Sequence, residues 1–153
     1  MSWSERLREL GIELPPVPKP VAAYVPAVRS GAWVWTSGQL PSVQGELRYR
    51  GKVGGERTPE EGYEAARLAA LNALAAAAEA AGGLDRIRRV LRLTVYVQSA
   101  PGFHEQPKVA NGASELLGQI FGEAGAHARS AVGTAELPLD ASVEVELLVE
   151  VAD

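Results

Sequence analysis

A long alanine-rich segment, residues 58–83, constrains the fold of this chain more than any other part of its sequence. It reads TPEEGYEAARLAALNALAAAAEAAGG. Thr58 can cap a helix here, Pro59 suits the first helical position, and Glu61 completes a capping box with Thr58. The glycines Gly82 and Gly83 end the pattern. Because alanine favours helix and carries little bulk, the segment predicts a helix that lies close against a sheet.

The remaining sequence predicts strands and two further helices. A short amphipathic helix opens the chain, with Ser2 or Ser4 as its cap and Gly11 at its end, and a stiff proline-rich connector follows. A second long helix is predicted around residues 103–122, where apolar residues recur at helical spacing. Apolar runs predict strands in YVPAVRSGAWVWTSGQLP, in LDRIRRVLRLTVYVQS and twice within residues 128–151, where a turn near residues 137–140 joins the two.

The two long helices can cover only one face of the predicted sheet. Trp33 and Trp35 fall on one face of their strand, and Val34 and Thr36 fall on the other. The uncovered face therefore keeps apolar residues, which predicts that it is buried against other subunits.

Composition restricts the class of protein. The 153 residues suit one domain, 1–153, and a formal net charge of −4 does not provide the basic face that nucleic acid requires. There is no cysteine, and the two histidines, His104 and His127, lie outside any spaced ligand motif, so we expect no metal site. No stretch resembles a signal-peptide core or reaches membrane-spanning length, so we expect a cytoplasmic protein without a membrane partner.

Four short motifs follow one another along the chain: SGQLP at residues 37–41, LDRIRRVLRLTVYV, ARSAVGTAELP, and VEVE at residues 143–146. In this order the chain resembles the Rid/YjgF family of small trimeric proteins, which are also called L-PSP endoribonucleases or translation initiation inhibitors. The resemblance runs from about Tyr24 to the C-terminus and leaves residues 1–19 as an N-terminal extension. It implies an α+β, chorismate-mutase-like fold, a mixed sheet with two helices on one face that assembles as a trimeric barrel.

The resemblance also implies a ligand site in a cleft between subunits. Arg129 matches the family arginine that clamps a substrate carboxylate, and its planar fork of donors suits that ligand. Glu144 matches the family glutamate that handles the attacking water, and it is expected to return across a turn to the same end of the sheet as Arg129. From the residues alone, an ion pair of Arg129 with Glu144 or Glu146 on a neighbouring strand stays an open alternative, and Glu146 is interpreted as structural.

Four further residues complete the implied site, which binds a small carboxylate. Ser37 and Gly38 end a strand, Tyr24 matches a tyrosine that closes the pocket, and Asn111 matches a pocket asparagine if an insertion is allowed. The structural alternatives are a plain turn residue for Ser37, barrel-edge packing for Tyr24 and a helix-surface position for Asn111. Ala131 stands where the family often has a cysteine, and SAPGFHEQPKVANGASELLG is longer than in the deaminases, which indicates a divergent subgroup.

The better-characterised enzymes of the family are imine deaminases. The resemblance therefore implies a hydrolase that converts 2-imino acids, of the 2-iminobutanoate or 2-iminopropanoate type, to 2-oxo acids and ammonia. No cofactor is expected, since the imine is already electrophilic. A non-catalytic trimer that binds small carboxylates or a regulatory metabolite is the alternative. An endoribonuclease is disfavoured by the negative charge and the lack of a histidine pair.

Overall fold

The computed structural model describes residues 1–20 and 22–153. Its α-helices are α1 (Trp3–Leu10), α2 (Pro59–Ala81) and α3 (Gln106–Phe121). Short 3-10 helices span Leu84–Arg86, Gly122–Gly125 and Pro138–Asp140. The strands are β1 (Ala27–Ser30), β2 (Trp33–Thr36), β3 (Ser42–Val43), β4 (Glu46–Leu47), β5 (Ile87–Gln98), β6 (Ala128–Thr134) and β7 (Val143–Val151).

Five of the strands form one mixed sheet in the order β1-β2-β7-β5-β6, and β3 and β4 form a separate hairpin. Strand β5 pairs parallel with β6 and antiparallel with β7, and β2 pairs antiparallel with both β1 and β7. The last two strands of the chain are therefore not neighbours, because β5 lies between them. The turn predicted near residues 137–140 is present, but it crosses over β5 instead of closing a hairpin.

Helix α2 forms where the alanine-rich segment predicts it. Thr58 is the N-cap, its side chain and that of Glu61 form the capping box, and Pro59 opens the helix. Gly82 ends it in the left-handed conformation, with φ of 90°. Most of its alanines are buried in the core between the helix and the sheet. The capping box and the terminal glycine predicted from the sequence thus fix both ends of the helix.

The long helices α2 and α3 cover one face of the sheet, as predicted. Alternate residues of β7 are buried beneath them, while the residues between these face the open side. On this open face Trp33 is 55% exposed, Trp35 49% and Val132 43%. The protein is therefore an α+β fold with two long helices on one face and an apolar sheet surface left bare on the other.

The N-terminal helix α1 packs against the start of β5 and the end of α3. Ser2 caps α1 and Gly11 ends it. The indole nitrogen of Trp3 donates to the Ile87 carbonyl at 2.7 Å, and its ring packs edge-on against Phe121 at 5.0 Å between centroids. The connector that follows, residues 12–20, adopts neither helix nor strand.

Candidate active site

Arg129 lies on the edge strand β6 and is held by helix α3. Its Nη1 donates to Asn111 Oδ1 at 2.8 Å and to Ser114 Oγ at 3.1 Å. Its Nη2 donates to the Pro107 carbonyl at 3.4 Å. Asn111 is thus a direct neighbour of Arg129.

These bonds leave one edge of the guanidinium available. Both hydrogens of Nη1 and one of Nη2 are engaged, and no described residue accepts from Nε of Arg129. In a guanidinium the Nε–H and one Nη2–H point in parallel, which is the arrangement that binds the two oxygens of a carboxylate, and on this edge the described residues make only the long 3.4 Å contact of Nη2 with Pro107. Arg129 is also half-buried, so its donors are already partly desolvated.

A histidine supports this arginine through Ser114. His127 Nδ1 lies 2.6 Å from the Gly125 carbonyl, which can only accept, so this nitrogen carries the proton. In the neutral ring, Nε2 then accepts from Ser114 Oγ at 2.9 Å. Ser114 gives its hydrogen to His127 and keeps a lone pair for Arg129, so the three side chains form one oriented chain of hydrogen bonds.

Glu144 lies on β7 and faces the open side of the sheet. No described side chain donates a hydrogen bond to its carboxyl group, and burial, with the nearby Glu146 charge adding to it, raises the pKa of Glu144 above its ordinary value. Glu146 differs, because it accepts from the Tyr96 hydroxyl at 2.8 Å. Glu144 is therefore the carboxylate left available for proton transfer, and Glu146 is the paired, structural one.

Gly38 packs directly on the Glu144 carboxyl group. A Cβ at Gly38 would overlap Oε2 of Glu144, so any larger residue here would force the Glu144 carboxyl group to move. Ser37 donates its hydroxyl to the Val25 carbonyl at 2.6 Å, which fixes the strand end rather than leaving a free donor. Tyr24 is 45% exposed and lines a pocket together with Gly38.

Arg129 and Glu144 do not meet within one chain. Arg129 is in register with Leu93, which is buried under the helices, whereas Glu144 is in register with Tyr96 on the open face. The expectation that both return to the same end of the sheet is wrong, and so is the alternative of an ion pair across neighbouring strands. Strand β5 separates the two residues and the alternation of the strands turns them to opposite faces.

The model of the YjgF/chorismate mutase-like family, whose description adds a presumed endoribonuclease activity, matches residues 4–151. The chain belongs to this family. The match confirms the resemblance drawn from the four motifs. It also begins within residues 1–19, the segment that the motifs leave outside the resemblance.

Relatives of this YjgF-like chain include the protein TCP17 of Trypanosoma cruzi, 48% identical over 145 residues, which are 94% of this chain and 91% of TCP17. The crystal structure of Atu1372 from Agrobacterium tumefaciens, a protein of unknown function, is 43% identical with a TM-score of 0.89 and covers 99% of this chain and 93% of that one. Escherichia coli TdcF with bound serine is 26% identical with a TM-score of 0.60, covering 90% of this chain and 93% of that one.

Two residues of this YjgF-like site escaped the sequence analysis. Ser114 follows Asn111 by three positions on α3 and so lies on the same side of the helix, a spacing that could have revealed it. His127 could not be recognised from the sequence, because nothing local links it to Ser114, thirteen residues earlier. Ala131, at the family cysteine position, packs against the hydrophobic core.

Within residues 1–20 and 22–153, no three histidine, aspartate or glutamate side chains gather as a metal ion would need. None of the helices there has the length and apolar character to cross a bilayer.

Proposed function

We propose that the chain is a cofactor-free imine deaminase that hydrolyses 2-imino acids to 2-oxo acids and ammonia, at a site shared between the subunits of a homotrimer. One observation carries the proposal. A single chain holds a carboxylate clamp at Arg129 and an unpaired, half-buried carboxyl at Glu144, but on opposite faces of its sheet. In the proposed site, Arg129 of one subunit faces Glu144 of a neighbouring subunit, and the substrate binds between them.

The clamp fits a small ligand that bears a carboxylate. Asn111 and Ser114 hold Arg129 so that its free edge presents two parallel donors. Charge-assisted, bidentate pairs of this kind are among the stronger hydrogen bonds in proteins. The bound serine in TdcF supports a carboxylate ligand, since serine carries the same group.

Glu144 supplies the proton transfer. As water adds to the imine carbon, the Glu144 carboxylate takes one of its protons and a tetrahedral carbinolamine forms. Glu144 then delivers this proton to the nitrogen, the C–N bond breaks, and ammonia leaves. The carbinolamine hydroxyl also gives its proton to this nitrogen as the C=O bond forms, so both protons of the water end on the nitrogen and imino acid and water give 2-oxo acid and ammonia in balance. Gly38 keeps the backbone close to the carboxyl without covering it.

The test is a coupled assay in which an amino acid oxidase generates 2-iminopropanoate in place. Wild type, Glu144→Gln and a protein-free reaction are compared, since imines also hydrolyse spontaneously. We expect acceleration by wild type and a loss of about 10²–10⁴-fold in Glu144→Gln. Glu146→Gln is the matched control on the same strand face and should keep the activity near neutral pH.

Two results would contradict the deaminase. Equal acceleration by wild type and Glu144→Gln would make Glu144 structural. Wild-type rates equal to the protein-free background for every imino acid tried would favour the alternative, a non-catalytic trimer that binds small carboxylates.

An endoribonuclease finds less support. The net charge is −4, and His127 is engaged with Ser114 and Gly125 rather than with a second histidine. A nuclease of this type would need a basic face for the phosphate backbone.

A further inference from the structure

A pocket of about 710 Å³ opens beside the Glu144 half of the site. Gly38, which packs on the Glu144 carboxyl, and Tyr24 form part of its wall. The proline-rich segment, residues 13–20, forms a second wall, and the β3–β4 hairpin with Leu40 forms a third. Gly38 therefore lies between the pocket and the Glu144 carboxyl group, and part of the pocket is built by the N-terminal segment.

The walls of this pocket are held in place before any ligand arrives. Buried Asn72 on α2 donates to the carbonyls of Leu40 and Ser42, both at 2.9 Å, and fixes the segment between β2 and the hairpin. On the other side, α1 anchors the proline-rich segment through Trp3. Proline limits the backbone freedom of this segment, so its ordering costs little on binding.

The lining is mainly apolar. The proline-rich segment turns Leu14, Val17 and several prolines toward the pocket as half-buried residues. The charged residues of the lining, Glu13 and Lys19, are both exposed and opposite in sign. A charged ligand group would find no buried partner here, whereas an apolar group would be removed from water.

We infer that this pocket receives the side chain of the substrate, and that the preferred substrates are 2-imino acids with large apolar side chains, aromatic or branched aliphatic. The inference rests on the deaminase function proposed above. A volume of about 300–1,000 Å³ is typical of pockets that enclose whole small molecules. A three-carbon imino acid would leave most of the 710 Å³ unfilled.

The first measurement compares substrates on the wild-type protein. An amino acid oxidase generates the imines of phenylalanine, leucine and alanine in turn, and kcat/KM is determined above the protein-free background. Full burial of a leucine- or phenylalanine-sized side chain typically contributes about 10- to 100-fold. We expect the phenylalanine and leucine imines to exceed the alanine imine by a factor in this range.

The second measurement places a charge in the pocket. Val17→Glu should reduce the ratio of kcat/KM for the phenylalanine imine over the alanine imine by at least about 10-fold. Leu10→Glu is the matched control, because Leu10 lies on α1, is 37% exposed and does not line the pocket. It should leave the ratio unchanged.

The outcomes separate this inference from the function on which it rests. If wild type accelerates all three imines equally, or prefers alanine, the deaminase stands and the pocket inference is overturned. If wild type accelerates none, the deaminase fails, and calorimetric titration with phenylpyruvate and pyruvate decides about the pocket. Tighter binding of phenylpyruvate that Val17→Glu abolishes would support it, and equal affinities would overturn it.

Discussion

At the scale of single residues, the site depends on which hydrogen-bonding atoms of each charged side chain are not already engaged by described residues. Arg129 is held by α3 through Asn111 and Ser114, and His127 orients the Ser114 hydroxyl that accepts from Arg129. Glu144 is half-buried without a hydrogen-bond donor, and its neighbour Glu146 is engaged with Tyr96. The chemistry therefore follows from hydrogen bonds that are already made, because they determine which atoms remain available to a ligand.

Arg129→Lys should weaken carboxylate binding while the fold is kept. Lysine keeps the charge but lacks the planar fork, so it cannot hold Asn111 and also present two parallel donors. We expect an affinity for pyruvate about 10- to 100-fold lower, measured by calorimetric titration. Arg67→Lys, at a partly exposed arginine on α2, is the control. Unchanged affinity in Arg129→Lys would leave Arg129 only a link between β6 and α3.

The pH profile of the deaminase should report on Glu144. Burial and the Glu146 charge raise the pKa of Glu144, and a general base must be ionised, so activity should fall as pH drops through this raised pKa. Glu146→Gln removes the neighbouring charge and makes ionisation easier. The acidic limb of kcat/KM should therefore move to lower pH in Glu146→Gln. A limb at the same pH in both proteins would contradict this origin.

At the scale of elements, the close contact of α2 and α3 decides where the arginine clamp lies. Gly112 of α3 approaches the backbone of α2 so closely that a Cβ would overlap the Tyr63 carbonyl. Gly112 lies between Asn111 and Ser114 in the sequence, so this contact also sets how far these two residues of α3 lie from Arg129. The packing of two helices and the orientation of the clamp are thus coupled through one glycine.

Gly112→Ala should push α3 away from α2. We expect a loss of about 1–3 kcal/mol in the free energy of unfolding, as is typical of overpacking, together with weaker pyruvate binding. Gly118→Ala is the matched control on the same helix, because its Cβ would meet nothing within 4 Å. It should be neutral or stabilising by up to about 1 kcal/mol, since alanine favours helix. Denaturant unfolding measures both, and equal effects would contradict the close-contact argument.

At the scale of the whole molecule, only one of the two faces of the sheet is covered. The helices cover one face, and Trp33, Trp35 and Val132 remain exposed on the other. Exposed apolar surface of this kind marks an interface, and the two half-sites require a second subunit for the proposed chemistry. The proposed homotrimer, in which the open faces form a barrel, would account for both features.

Sedimentation equilibrium at micromolar concentration should give three times the chain mass of 16.2 kDa. Trp35→Glu places a charge on the open face and should shift the mass toward that of a single chain, with loss of deamination. Leu10→Glu, on α1, should leave the assembly intact. A monomeric wild type would contradict both the barrel and the shared site.

The sequence by itself determined the features whose causes are local. The capping box of Thr58 and Glu61 and the stop at Gly82 lie within a few residues of the helix ends that they fix. The alternation of Trp33 and Trp35 with Val34 and Thr36 is set by the period of a strand. The family motifs added the identity of Arg129 and Glu144, because such motifs keep residue types at fixed positions.

Only the tertiary structure decided how these pieces face one another. Strand β5 lies between β6 and β7, and Arg129 and Glu144 lie on opposite faces of the sheet. The contact of Gly38 with Glu144, the bond of Ser114 with His127 and the pocket beside the proline-rich segment join parts distant in sequence. Local propensities do not encode such contacts, because they arise only when the helices and strands pack together in space.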